Sequence, residues 1–119
     1  AAVRAELDRA DLFVMASRTE GLPRAMIEAM ARGLPCIGTT VGGIPELLPP
    51  DSMVPPDDAG ALATKILEVI ESAERRAAEG QRNIDVARGY RADVLTARRV
   101  DFWTALRDRT ASWQRETSR

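Results

Sequence analysis

The two carboxylates best placed for chemistry in this sequence are Glu20 and Glu28, eight positions apart in Ser17-Arg18-Thr19-Glu20-Gly21-Leu22-Pro23-Arg24-Ala25-Met26-Ile27-Glu28. The stretch reads as the end of a buried strand, a tight glycine-containing loop, and a helix over Leu22–Arg32. Pro23 stands near the start of that helix and Gly33 just past its end, the usual asymmetry of helix termini. A carboxylate where a loop feeds a helix can meet a polar ligand whose anionic part is held by the free N–H groups of the first turn. Each acidic residue also has a plainer reading. Glu28 falls between Arg24 and Arg32 at i−4 and i+4, opposite Met26 and Met30, which describes a solvated ion-pair ladder. Glu20 can simply complement the positive end of the helix dipole. Arg18 either neutralises a phosphate or pairs with Glu20.

Composition removes several classes of function. The chain has 119 residues, room for one domain, with 45% hydrophobic and 29% charged residues, the balance of a globular protein. A net charge of −1 gives no electrostatic case for nucleic acid. No apolar run reaches the length of a membrane span, and the N-terminus alternates charge with alanine, unlike a signal peptide. There is no histidine, so a Ser-His or Cys-His nucleophile and a His-ligated zinc are both excluded within the chain. The single cysteine, Cys36, excludes an internal disulfide and fits a reducing compartment. It reads as a small hydrophobe in a buried strand. The first residues look like the middle of a helix without a cap, so the sequence is expected to be a fragment.

Periodicity places the remaining elements. Residues 1–9 are good helix formers, with Ala2, Val3 and Leu7 on one side. Leu12–Ala16 is a continuous apolar run, the mark of a strand covered on both faces. Cys36–Thr39 is a second strand, opened by Pro35. Gly42-Gly43 leads into a short helix containing Pro45; it either cradles phosphate or, lacking G-x-G-x-x-G spacing, packs backbone closely behind the site. Ser52–Pro55 is a third strand. Asp57 and Asp58 cap an amphipathic helix carrying Leu62, Ile66, Val69 and Ile70. Residues 74–91 read as a weakly packed helix with only Ile84, Val86 and Tyr90 to bury. A last helix over 92–108 offers Val94, Leu95, Val100, Phe102, Trp103 and Leu106 for packing. Alternating strands and helices with short connections imply an α/β fold with a parallel sheet and right-handed crossovers. Three strands make about half of a doubly wound sheet, so strands come from a partner or from the rest of a larger domain.

The ordered set Glu20-Gly21-Leu22-Pro23, Glu28, Gly33-Leu34-Pro35 and Gly42-Gly43-Ile44-Pro45-Glu46 resembles a known family across Ala10–Ile70. It is similar to the C-terminal part of retaining nucleotide-sugar glycosyltransferases of GT-B fold, the glycogen-synthase-like group also called glycosyl transferases group 1. Leu22 and Cys36 stand where that family more often has Phe and Val.

The resemblance implies a partial Rossmann-like nucleotide-sugar-binding domain over 1–109, the second half of a GT-B C-terminal domain, with a frayed polar tail over 110–119. It implies that Glu28 accepts hydrogen bonds from the ribose hydroxyls. Glu20, the catalytic position, would contact hydroxyls of the transferred sugar near the reacting carbon. Gly21, Leu22 and the turn at Pro23 would hold sugar or phosphate oxygens, with Arg18 nearby. No metal and no cofactor besides the nucleotide-diphosphate sugar is implied. The intact protein would transfer a hexosyl group with retention to a sugar, lipid or small-molecule acceptor. It would be cytoplasmic, with any contact at the inner membrane surface made through parts outside this sequence. This chain alone, lacking the N-terminal domain, would be inactive and prone to self-association. Two alternatives remain open: a non-catalytic α/β interaction module, and a GT-B phosphorylase or sugar-phosphate synthase.

Overall fold

The computed structural model describes residues 2–118. Ala1, Arg119 and the side chains of Val3, Ala92, Asp93 and Val94 lie outside the described residues, Val3 and Val94 being two of the expected contacts. The elements run α1 (Ala2–Arg9), β1 (Phe13–Met15), α2 (Arg24–Ala31), β2 (Cys36–Thr39), α3 (Ile44–Leu47), β3 (Met53–Val54), α4 (Ala59–Glu71), α5 (Ala73–Arg88) and α6 (Ala92–Thr117), with a single 3-10 turn at Pro50–Ser52. The chain divides into two compact units between Arg88 and Gly89.

The first unit is α/β. Its sheet has the order β1-β2-β3, all parallel, with Phe13 opposite Cys36 and Gly38 opposite Met53. The central strand β2 is buried at all four residues, as an apolar run between two neighbours must be. β1 departs from the expectation of a strand covered on both faces. It is an edge of the described sheet, and Val14 in its middle is exposed. Met26, Ala29 and Met30 of α2, Ile37 of β2, and Ile44 and Leu47 of α3 are fully buried and form the core.

The end of α2 is set by local chemistry. Gly33 takes a left-handed φ of +78°. Its N–H donates to Met30 O at 3.0 Å, and the next N–H, of Leu34, donates to Ala29 O at 3.2 Å. These two bonds satisfy carbonyls that the helix leaves open. The turn delivers Pro35 and Cys36 straight into β2.

Helix α5 corrects the expectation of weak packing. It lies against α2 and buries Gly80, Asn83 and Ala87. Asn83 donates its amide to Leu34 O at 2.8 Å, and Gly80 lets α5 approach the carbonyl of Gly33. Charges tie the other end of α5 down. Arg75 bonds Glu79 at 2.7 Å, Asp51 at 3.1 Å and Glu68 at 3.5 Å, while Lys65 bonds Asp51 and Glu68. The hydrogen bond to Glu79, with the charges of Glu79, Asp51 and Glu68, holds the Arg75 guanidinium more firmly protonated than usual. Arg76 donates to the last carbonyls of α4, at Val69 and Ile70, where a cation suits the helix dipole.

The second unit is dominated by α6, which continues past Asp108 to Thr117. Phe102 and Trp103 do not pack into a core as expected. Both are exposed, with their rings edge to face at 5.4 Å.

Candidate functional site

The segment joining β1 to α2 holds most of the sequence-predicted site residues at the carboxyl end of the parallel sheet, where open α/β sheets bind ligands. Its shape is fixed from two sides. Thr39, buried at the end of β2, donates its hydroxyl to Ser17 O at 2.6 Å. The Ser17 hydroxyl in turn donates to Glu20 Oε2 at 2.9 Å. On the other side, Gly43 N–H donates to Gly21 O at 2.8 Å. Gly42 takes φ +52°, and a Cβ there would collide with the Glu20 carbonyl. Gly42-Gly43 is therefore the close-packing turn of the two sequence readings.

Pro23 is the N-cap residue of α2 rather than its first helical residue. It supplies no side-chain cap, and no acidic residue stands in the first turn. Among the described residues no side chain accepts from the N–H groups opening α2, and the positive end of the helix dipole has no acid of its own turn to complement it. Gly21 and Leu22 are exposed immediately before it.

Glu28 is exposed on α2, but the arginine ladder does not form. Arg32 donates instead to Asp8 of α1 at 2.9 Å, and among the described residues no ion pair joins Glu28 to Arg24 or Arg32. Glu28 lines an open cavity of about 310 Å³ with Arg4, Ala31 and Arg32. None of residues 18–23 lines that cavity.

Arg18 does not pair with Glu20. Its Nε lies 2.6 Å from Asp57 Oδ1, across 39 residues of chain, with both side chains mostly in solvent. Asp57 has φ +58°, unusual for a residue with a Cβ. Arg18, Thr39, Asp57 and Asp58 line a second cavity, of about 360 Å³, over the ends of the three strands. Sequence reasoning saw Asp57 only as a helix cap; Asp58 alone has that role, accepting from Ala61 N–H at 2.9 Å. Ser17 and Thr39 carry little in the sequence that marks them as site residues. The one available signal was a hydroxyl three positions before Glu20.

Cys36 takes no part in this chemistry. Burial, and secondarily the charge of Glu79, pushes its thiol up to about 12.

Residues 1–72 match the family described as glycosyl transferases group 1. The chain is 45% identical over 73 residues to WcaL of Escherichia coli K12, which carries the designation colanic acid biosynthesis glycosyltransferase; the match covers 54% of this chain and 18% of WcaL. Among solved structures it is similar to sucrose-phosphate synthase from Thermosynechococcus elongatus, at a TM-score of 0.79 and 26% identity over 85% of this chain and 26% of that one. It is also similar to Anabaena HepE, solved in complex with UDP, at a TM-score of 0.72 and 26% identity over 84% of this chain and 28% of HepE. Both structures are GT-B glycosyltransferases. The matches thus span only 18% to 28% of the length of these proteins, and no helix among the described residues is long and apolar enough to cross a membrane. The matched segment contains the whole Ser17–Gly33 motif and the Gly42-Gly43 turn packed behind it, and the chain belongs to the glycosyl transferases group 1 family.

Proposed function

We propose that this chain is the donor-facing part of a glycosyltransferase that, as the intact protein, transfers a hexosyl group from a nucleotide-diphosphate sugar to an acceptor with retention at the anomeric carbon. The observation that carries the reading is the bare start of α2: no side-chain cap and no first-turn acid, directly after the Glu20 loop at the carboxyl end of a parallel sheet. That is an arrangement suited to a diphosphate. Exposed N–H groups and the helix dipole would stabilise the charge that builds on the leaving nucleotide as the glycosidic bond breaks. Glu20, at the loop, would accept a hydroxyl of the transferred sugar close to the reacting carbon. Glu28, exposed and with no arginine partner, would accept the ribose hydroxyls. Charge-assisted bonds of this kind are among the stronger ones available to a diol. Gly21, Leu22 and the turn at Pro23 would line the approach, and Arg18 would meet a phosphate by exchanging its partner Asp57. No metal or further cofactor is assigned to the site, and the chain by itself would not turn over.

The HepE structure, which holds UDP, supports a nucleotide as the anionic part. The test is calorimetry of the full-length polypeptide with UDP-glucose, UDP-N-acetylglucosamine and GDP-mannose, repeated with Glu28→Ala. The expected result is binding of one donor, weakened roughly tenfold by the variant, as for loss of a hydrogen bond to a charged group. Absence of binding to all three would favour a non-catalytic interaction module. The likeness to sucrose-phosphate synthase favours one second reading, in which a sugar phosphate is the acceptor; product formation with a sugar phosphate but not with free sugars would select it.

A further inference from the structure

Among the described residues the Glu20 carboxylate is held by a single hydrogen bond, whose donor is itself anchored to the sheet. Its Oε2 accepts the Ser17 hydroxyl at 2.9 Å, while no partner of Oε1 is found among the described residues. Ser17 is itself anchored, since its carbonyl accepts the hydroxyl of Thr39 at 2.6 Å, and Thr39 is buried in the most enclosed strand of the sheet. Behind the loop, Gly42 abuts the Glu20 carbonyl and Gly43 N–H bonds Gly21 O, so the loop backbone that carries Glu20 is fixed as well.

We propose that Ser17 is a positioning residue for Glu20: it occupies one carboxylate oxygen, carries the rigidity of β2 to it through Thr39, and leaves the other oxygen to accept a single hydroxyl of the donor sugar. This rests on the donor-site reading above. Held by Ser17, the carboxylate keeps one rotamer as the sugar arrives, so its ordering cost falls at folding and not at binding. It also biases recognition toward Oε1, which keeps both of its lone pairs while Oε2 has one engaged by Ser17.

The experiment measures, on the full-length polypeptide, the ratio of affinities for a nucleotide-diphosphate sugar and for the same nucleotide diphosphate without sugar. UDP-glucose with UDP, and GDP-mannose with GDP, are the probes. Ser17→Ala is expected to lower that ratio about tenfold, the size of a hydrogen bond to a charged group, while leaving the affinity for the bare diphosphate unchanged. Ser17→Thr, which keeps the hydroxyl, is expected to restore the ratio. Combined with Glu20→Ala, Ser17→Ala is expected to add nothing, because it acts through that carboxylate. Equal loss for sugar and bare diphosphate, failure of threonine to rescue, or additivity with Glu20→Ala would each overturn the proposal. If Glu20→Ala itself leaves the ratio unchanged, or no probe binds, the donor-site reading fails and this inference with it. If Glu20→Ala lowers the ratio and Ser17→Ala does not, only the inference fails.

Discussion

A Cβ placed on Gly42 would lie 1.7 Å from the carbonyl oxygen of Glu20. The turn before α3 and the loop before α2 therefore touch backbone to backbone, with no space for even a methyl group, and Gly42 has φ +52° as well. Gly42→Ala must shift the Glu20 loop or the turn, and it is expected to cost at least about 2 kcal/mol in urea unfolding through strain and displacement together. Gly21→Ala is the control. Nothing lies within 4 Å of its Cβ position, so the cost should stay below about 1 kcal/mol. Equal midpoints for the two variants would contradict the close contact.

Gly80→Ala tests the packing of α5 by the sign of its effect. In an exposed helix interior, replacing glycine with alanine stabilises by about 1 kcal/mol. At Gly80 the new Cβ would sit 2.3 Å from the carbonyl oxygen of Gly33, and the obstacle is backbone. The helices must separate, so the variant is expected to be destabilised by roughly 2 kcal/mol, a typical cost of overpacking. A rise in Tm would mean that α5 does not cross α2 as described.

These two contacts also show where sequence reading stops. The apolar run at Cys36–Thr39, the glycine ending α2 and the aspartate capping α4 are local signals, and each element formed as its pattern implies. The packing of α5 is illegible in the sequence because it buries Gly80, Asn83 and Ala87, residues too small or too polar to mark a core-facing stripe. Asn83 is buried because its amide meets the Leu34 carbonyl, 49 residues away, and no periodicity encodes that partner. The same holds for the site. The spacing of Glu28 from Arg32 suggested a pair, yet Asp8 of α1 competes for the guanidinium and takes it. Arg18 found Asp57, again a partner distant in sequence. The Glu20 loop was legible as a place; the groups that orient it, Thr39 and Gly42, arrive from other parts of the chain.

Cys36 is expected to be inert while the protein is folded. Its thiol is pushed up to about 12 by burial and by Glu79, so at pH 8 on the order of one molecule in ten thousand carries a thiolate. Ellman's reagent should label it only after denaturation. The sign of the stability effect follows from proton counts. Above pH 9 the unfolded chain releases this proton while the folded chain keeps it until about 12. Folding stability should therefore fall with rising pH across that window, at up to about 1.4 kcal/mol per pH unit from this group. Cys36→Val should flatten the alkaline limb relative to the native chain. Rapid labelling of the folded protein at pH 8 would contradict the burial.

Two surfaces of the chain are apolar without a described cover, and they lead to a prediction about association. β1 closes one side of the sheet with Val14 exposed, and an unpaired strand edge is a template for another strand. Along α6, Val100, Phe102, Trp103, Leu106 and Trp113 are all exposed, more large apolar side chain than one solvated helix ordinarily carries. Sedimentation velocity on this chain is expected to show species heavier than the 13.0 kDa monomer, increasing with concentration. The two surfaces are separable by substitution. Val14→Lys should blunt pairing through the edge, whereas Trp103→Gln with Trp113→Gln should suppress association through α6 and leave the edge untouched. If the α6 pair restores a monomer and the edge variant does not, the helix is the dominant face. A single 13.0 kDa species at every concentration would show that neither surface drives association.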